Sequence, residues 1–432
     1  MRKRMKGFPA LVSFKESKQK LAEIIKYRII ETVDVTLEDA LNMVCAEDVL
    51  APTDCPEFDR SAVDGYAVIA EDTFGSSPSN PVELKLVGRA HAGMKPSDIP
   101  KIDRGETVEI YTGAPLPEGA NAVVMVEHTN KLDNSIEVLY PVSPYQNVSK
   151  RGEDYKKGDI VIKKGTRIRP WHIAALAELN ISRVKVLRKP RIAVLSTGSE
   201  LVEVGSELNV GNVVNSSKPM LKSLLKETGC EVLDLGTVPD DLEMIKESIR
   251  KGLRMADAII ITGGTSVGEL DLVPEAINSL GKPGLVVHGI MMRPAKTTGF
   301  GVIDNKPIFM LSGLPVAALV GFQNFIKPSI QMMLGLPDEL KLMLRGKLTR
   351  RIANPHGVRS FIRVRVVRKD DNYYVEPLVL TGSGLVSTLT KANGILVIPE
   401  NVEGYDEGEE VEVELLQPIE TSIGDCNGLD IS

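Results

Sequence analysis

Apolar and polar positions along the chain change period several times, and the changes divide it into blocks. Residues 14–31 repeat at helical spacing, with Leu21, Ile24, Ile25 and Ile29 on one stripe, which predicts an amphipathic helix. From 46 to 148 the pattern shortens to β-prone pieces such as TVEIYTG and AVVMVEH, separated by Gly and Pro, as in a small β-rich domain. Helical spacing returns at PWHIAALAELN, where Pro170 suits a first helical turn.

Between 188 and 335 strands and helices alternate. PRIAVLSTG, CEVLDLGTV, ADAIIITGG and PIFMLSG are nearly continuous apolar runs, as expected of a parallel sheet covered on both faces. Between them lie SKPMLKSLLKETG, with Gly229 as its stop, and DDLEMIKESIRKGL, whose leading acids suit a helix N-terminus. PVAALVGFQNFIKPSIQMML reads as a long helix that Pro328 kinks. Alternation of this kind predicts a doubly wound α/β domain with its ligand site beyond the strand C-termini. From 342 the remainder is β, and the arginine alternation in FIRVRVVR reads as a solvated strand face.

Length agrees with this division, since 432 residues suggest three or four domains of ~100–150 residues. The expected domains are a split helical one (1–45 with 149–187), an inserted β-rich one (46–148), the α/β domain (188–335) and a C-terminal β-barrel (342–420). A hydrophobic fraction of 43% and a charged fraction of 25% are those of a soluble globular protein. Aromatics at 4% are too few for stacking platforms, and a net charge of −6 argues against generic polyanion binding, so no nucleic-acid partner is expected. The basic start lacks a signal-peptide core and the longest apolar run is too short to span a bilayer, so the protein reads as cytoplasmic with no membrane partner. Cys45, Cys55, Cys230 and Cys426 form no C-x-x-C pair, which excludes a zinc knuckle by spacing and points any metal toward oxygen ligands and Mg²⁺.

Three glycine turns carry the candidate chemistry. ITGGTSVGELD places Gly263, Gly264, Thr265, Ser266 and Gly268 after a buried strand, where backbone N–H groups and hydroxyls meet a phosphate. LSTGSEL offers Thr197, Gly198 and Glu200 at a second strand end, and MLSGLPVAAL offers Ser312, Gly313 and Pro315 at a third. In MMRPAKTTGFG, Arg293 and Lys296 suit a pyrophosphate or oxyanion. Asp64, Asp154, Asp240, Asp241 and Asp271 lie in turn-like contexts, where acids are common for local reasons. Converging on phosphate, they would hold Mg²⁺.

FDRSAVDGYAV, GAPLPEGANAVVMVE, RGEDYKKGD, LSTGSELVEVG, DLGTVPDD and TGGTSVGELD stand in one order at family spacings. Together they resemble the MoeA family of molybdopterin molybdotransferases, to which the gephyrin E domain also belongs, over about 15–425. The resemblance implies an elongated homodimer whose site is a cleft between the α/β domain of one subunit and the β-rich domain of the other. It implies that adenylylated molybdopterin receives molybdate, or tungstate, with release of AMP, assisted by Mg²⁺. An adenylyltransferase supplying the substrate and apoenzymes accepting the product are the protein partners it implies. By matched motif, Asp64, Asp154, Asp241, Asp271 and Lys296 carry over as catalytic groups, and Asp240, Asp241 and Asp271 as metal ligands. Thr197, Gly198, Glu200, Gly263, Gly264, Thr265, Ser266, Gly268, Arg293, Lys296, Ser312, Gly313 and Pro315 would hold molybdopterin phosphate and molybdate. Asp59 is expected to be a turn acid. Adenylyltransfer and a non-catalytic molybdopterin carrier are the rival readings. Three departures stand out: RPAKT replaces KPGKP, SGLP replaces PGNP, and Asn121 replaces the acid of GADAVV.

Overall fold

A computed structural model describes residues 11–25, 30–264, 272–378 and 382–419. By contacts the chain falls into two units, Val33–Val186 and the remainder.

The first helix, α1 (Phe14–Ile25), buries Phe14, Ser17, Leu21 and Ile25, so the predicted stripe is the packed face, with Ile24 at its half-buried margin. Ile29 lies outside the described residues. Phe14 meets Phe325 edge-on at 5.7 Å and Phe361 at 5.9 Å, all three within the unit that also holds Leu187–Ser432.

Val33–Val186 holds a six-stranded sheet. Its strands are β1 (Gly65–Val68), β2 (Val82–Ala90), β3 (Glu106–Ile110), β4 (Ala122–Met125), β5 (Thr129–Lys131) and β6 (Ser135–Val138), ordered β4-β1-β3-β2-β6-β5. Tyr66 and Val68 point into one core with Val124 and Ile136, while Ala67 points into another with Val108 and Val123. That two-residue alternation places apolar cores on both faces of the sheet. Beside it, α2 (Pro170–Glu178) packs Leu176 with Met43, Ile168 and Val184.

The second unit carries the α/β sheet. Its elements run β7 (Arg191–Thr197), α3 (Ser217–Glu227), β8 (Glu231–Val238), α4 (Leu242–Met255), β9 (Ala258–Thr262), α5 (Val273–Leu280), β10 (Gly284–His288), β11 (Met292–Arg293), β12 (Gly299–Ile303) and β13 (Lys306–Leu311). The sheet order is β8-β7-β9-β13-β12-β10, with the first four strands parallel, β12 antiparallel to β13, and β10 antiparallel to β12. The chain runs outward from β7 to β8 and returns across β7 to β9, so the strand order reverses between β7 and β9. Such a reversal opens a crevice beyond the strand C-termini.

The helix after β13 is broken into α6 (Pro315–Gly321), a π segment (Phe322–Ile326) and α7 (Lys327–Met333). Pro328 has no N–H for the Asn324 carbonyl four residues back. Lys18 of α1 supplies the missing donor, its Nζ donating to Asn324 O at 2.5 Å. The kink is therefore a π turn capped from another helix.

The rest of this unit is a closed barrel of β14 (Met343–Leu348), β15 (Arg359–Lys369), β16 (Asn372–Pro377), β17 (Gly394–Ile398) and β18 (Glu410–Leu415), with β15 pairing to β17 to close it. Ile362, Val364 and Val366 fill its interior. Strand β11 adds to the edge of β15, Met292 opposite Arg359 and Arg293 opposite Ser360.

Candidate functional site

Three parallel strands end side by side, and their turns approach closely. Ser196 and Thr262 are register partners on β7 and β9, and their hydroxyls meet at 2.9 Å. One residue on, Gly263 has φ +84, and a Cβ there would lie 2.0 Å from the Thr197 carbonyl oxygen, so only glycine fits. Gly264, at φ +53, would set a Cβ 2.8 Å from Thr197 Oγ1. A Cβ on Gly313 would reach within 3.6 Å of the Gly263 Cα. Thr197, Gly263, Gly264 and Gly313 are thus brought together. Thr197 Oγ1 is buried with no hydrogen-bond partner among the described residues. A buried hydroxyl left unpaired costs stability, which marks this turn as built for something besides packing.

The neighbouring residues have local duties. Glu200 folds its carboxylate back over Gly198, within 2.9 Å of where a Cβ would stand. Asp240 Oδ2 accepts from Ser199 N at 3.2 Å, and Ser199 Oγ accepts from Asp240 N at 3.1 Å, which ties the ends of β7 and β8 together. Asp241 caps α4, its Oδ1 accepting from Met244 N at 2.9 Å. Each acid keeps its second carboxylate oxygen without a hydrogen bond to a described residue. Gly313 O accepts from Ser217 Oγ at 2.7 Å, and Pro315 occupies the first turn of α6. Thr265, Ser266, Gly268 and Asp271 lie outside the described residues.

Beside these turns, between the α/β sheet and the barrel, lies a cavity of about 490 Å³ lined by Arg293, Lys296, Ser312, Leu314, Arg363 and Ser383. Pairing of β11 with β15 holds Arg293 there. Arg363 was expected on a solvated strand face; instead it is 4% exposed, with Nε donating to Thr388 Oγ1 at 3.2 Å. Burial, and then the nearby charge of Arg293, pushes its guanidinium down from the usual arginine range. Arg365 and Arg368 on the same strand are exposed as expected. In RPAKT, Ala295 is buried against this cavity at φ +76.

In the other unit, Asp64 stands exposed at the start of β1. Its Oδ1 accepts from Thr112 N and Thr112 Oγ1, each at 2.7 Å, and the backbone bond first, then the hydroxyl, hold its carboxyl below the usual range. Asp59 accepts from Arg151 N at 2.7 Å, a bond to a segment 92 residues away and not the local turn bond expected of it. Asn121 uses both halves of its amide, accepting from Ala70 N and donating to Glu71. Asp154 lies beside Cys55 and Glu178.

Family models cover this architecture from end to end. The MoeA N-terminal region (domains I and II) matches residues 12–180, the "Probable molybdopterin binding domain" residues 193–332, and the MoeA C-terminal region (domain IV) residues 345–416. The chain belongs to the MoeA family. A Methanocaldococcus jannaschii protein provisionally assigned to molybdopterin biosynthesis is 42% identical over 408 residues, covering 92% of this chain and 96% of that one. A Staphylococcus aureus molybdopterin molybdenumtransferase is 34% identical over 385 residues, covering 89% and 91%. The crystal structure of a MoeA molybdopterin biosynthesis protein from Pyrococcus horikosii superposes with a TM-score of 0.80 at 37% identity, covering 95% of this chain and all of that one. Among the described residues no helix is long and apolar enough to cross a membrane.

The lining of the cavity was only partly legible in the sequence. Arg363 and Ser383 belong to its barrel half; Ser383 stands between Gly382 and Gly384 in a glycine turn beyond the three singled out from sequence, whereas nothing local flags Arg363. Periodicity correctly puts Arg363 on the outward face of β15, opposite Ile362 and Val364. What covers that face is a matter of domain packing.

Proposed function

We propose that this protein is a molybdopterin molybdenumtransferase of molybdenum cofactor biosynthesis. The observation that carries the reading is the cavity joining Arg293, Lys296 and Arg363 beside the turns of Thr197, Gly263 and Gly313. Three cations there suit a ligand bearing a phosphate and a tetrahedral oxyanion, and guanidinium forks suit oxygens in pairs.

In the finer reading the substrate is adenylylated molybdopterin. Gly263 and Gly264 admit its phosphate against backbone, Thr197 donates its unpaired hydroxyl, and Arg293, Lys296 and Arg363 hold molybdate with Ser312 and Ser383. The second carboxylate oxygens of Asp240 and Asp241 fit Mg²⁺, which takes one or two carboxylates together with phosphate oxygens. Bound there, Mg²⁺ would neutralise charge as the pyrophosphate is cleaved and AMP leaves. Asp271 completes the acid set by motif. In a homodimer the partner subunit's Asp64, kept ionised by Thr112, would face this site, and Asp154 would act from the same domain. No residue here separates molybdate from tungstate.

Incubation with Mg²⁺ and adenylylated molybdopterin, following AMP with and without molybdate, tests the reading. Molybdate-stimulated AMP release supports it. Binding without stimulated release identifies a carrier, ATP consumption with free molybdopterin identifies an adenylyltransferase, and either result overturns it.

A further inference from the structure

Cys55, Asp154 and Glu178 form a second cluster of chemistry-bearing groups, all within Val33–Val186 and distant from one another in sequence. The thiol and one oxygen of each carboxylate lie within 4.8 Å of one another. Cys55 is 7% exposed, packed with Ala51 and Leu179, whereas both acids reach solvent. The backbone fixes two members together: Cys55 N donates to Tyr155 O at 2.7 Å, and Cys55 O accepts from Asp154 N at 3.1 Å. Glu178 arrives from the last residue of α2.

Two features point to a missing cation. First, neither carboxylate has an ion pair or side-chain hydrogen bond outside the cluster among the described residues, so the two acids stand together with the Cys55 thiol as their neighbour. Second, the thiol is more than nine-tenths buried, and its side-chain partner is Glu178 of the cluster itself. Burial, and then the Glu178 carboxylate, hold this thiol above the usual cysteine range. A core cysteine needs no carboxylates, and a surface acid pair needs no buried sulfur.

The donor set selects the ion. Sulfur excludes Mg²⁺ and Ca²⁺, which take oxygen, and one thiolate with two carboxylates suits a borderline divalent metal such as zinc. Tetrahedral zinc separates its ligand atoms by roughly 3.3–3.6 Å, so rotation of the exposed carboxylates closes the set. Three protein ligands leave a fourth position for water or a ligand oxygen. We propose that Cys55, Asp154 and Glu178 bind a zinc-class divalent ion, a site separate in chemistry from any Mg²⁺ on the α/β domain.

Cobalt(II), titrated alone into the full-length protein, is the probe, so the outcome does not depend on the transferase reading. The expected result is a near-ultraviolet sulfur-to-cobalt band that saturates at one equivalent and that zinc abolishes. Cys55→Ser removes the band, and Cys45→Ser, at a buried thiol elsewhere in the unit, keeps it. Glu178→Gln, at an exposed position that leaves folding intact, weakens cobalt binding by about tenfold or more. Absence of the band, its persistence in Cys55→Ser, or unchanged affinity in Glu178→Gln overturns the proposal.

Discussion

Arg363 of the barrel and Arg293 of the α/β domain face one cavity, near enough for the charge of Arg293 to add to burial in lowering the Arg363 guanidinium. Like charges drawn together in a low-dielectric wall are an unfavourable arrangement unless an anion lies between them. The pairing of Arg293 with Ser360 builds that arrangement into the backbone.

Arg363→Lys keeps the charge but loses the fork, and is expected to raise the KM for adenylylated molybdopterin roughly tenfold to a hundredfold, the worth of one charged hydrogen bond. Steady-state AMP release measures it. An unchanged KM would remove Arg363 from the binding site.

Asp241 separates capping from catalysis. Asp241→Ala is expected to cost about 1 kcal/mol of stability through loss of the α4 cap, whereas Asp241→Asn keeps the cap. If Asp241 also holds metal, both variants lose AMP release. Urea melts beside the activity assay distinguish the two duties.

Ala295 occupies a left-handed conformation at φ +76, which favours glycine. Ala295→Gly is expected to stabilise by about 0.5–1 kcal/mol, the left-handed strain released less the extra unfolded-state freedom of glycine. Thermal unfolding checks the sign.

The lowered carboxyl of Asp64 sets an acid dependence. Its folded value lies below the unfolded one, so the stabilisation is present above about pH 4 and is lost as pH falls through the folded value. Asp64→Asn should therefore be less stable than the parent at pH 7, and the gap should close below about pH 4. A gap independent of pH would sink the assignment.

Lys18 gives the opposite limb. Burial, aided by Lys341, lowers its amine to about 8. Between there and the unfolded value near 10.4 the unfolded chain holds a proton that the folded one lacks, so stability rises with pH by about 3 kcal/mol. Denaturant melts from pH 7 to 10.5 should show the rise, and Lys18→Met should abolish it.

The sequence by itself determined the local elements, because their causes are local. Continuous apolar runs made β7, β9 and β13, Gly229 ended the stretch after α3 at φ +91, and Pro328 forced the break before α7. Glycines at 263 and 264 announced a turn that tolerates no side chain. Tertiary structure decided which faces are covered and which distant groups meet. Periodicity of two distinguishes the inside of a strand from its outside but carries no information about a neighbouring domain, so Arg363 read as solvated. Likewise Cys55, Asp154 and Glu178 share no spacing signal, since loop closure over a hundred residues leaves no mark on composition. Only packing sets three such groups within reach of one ion.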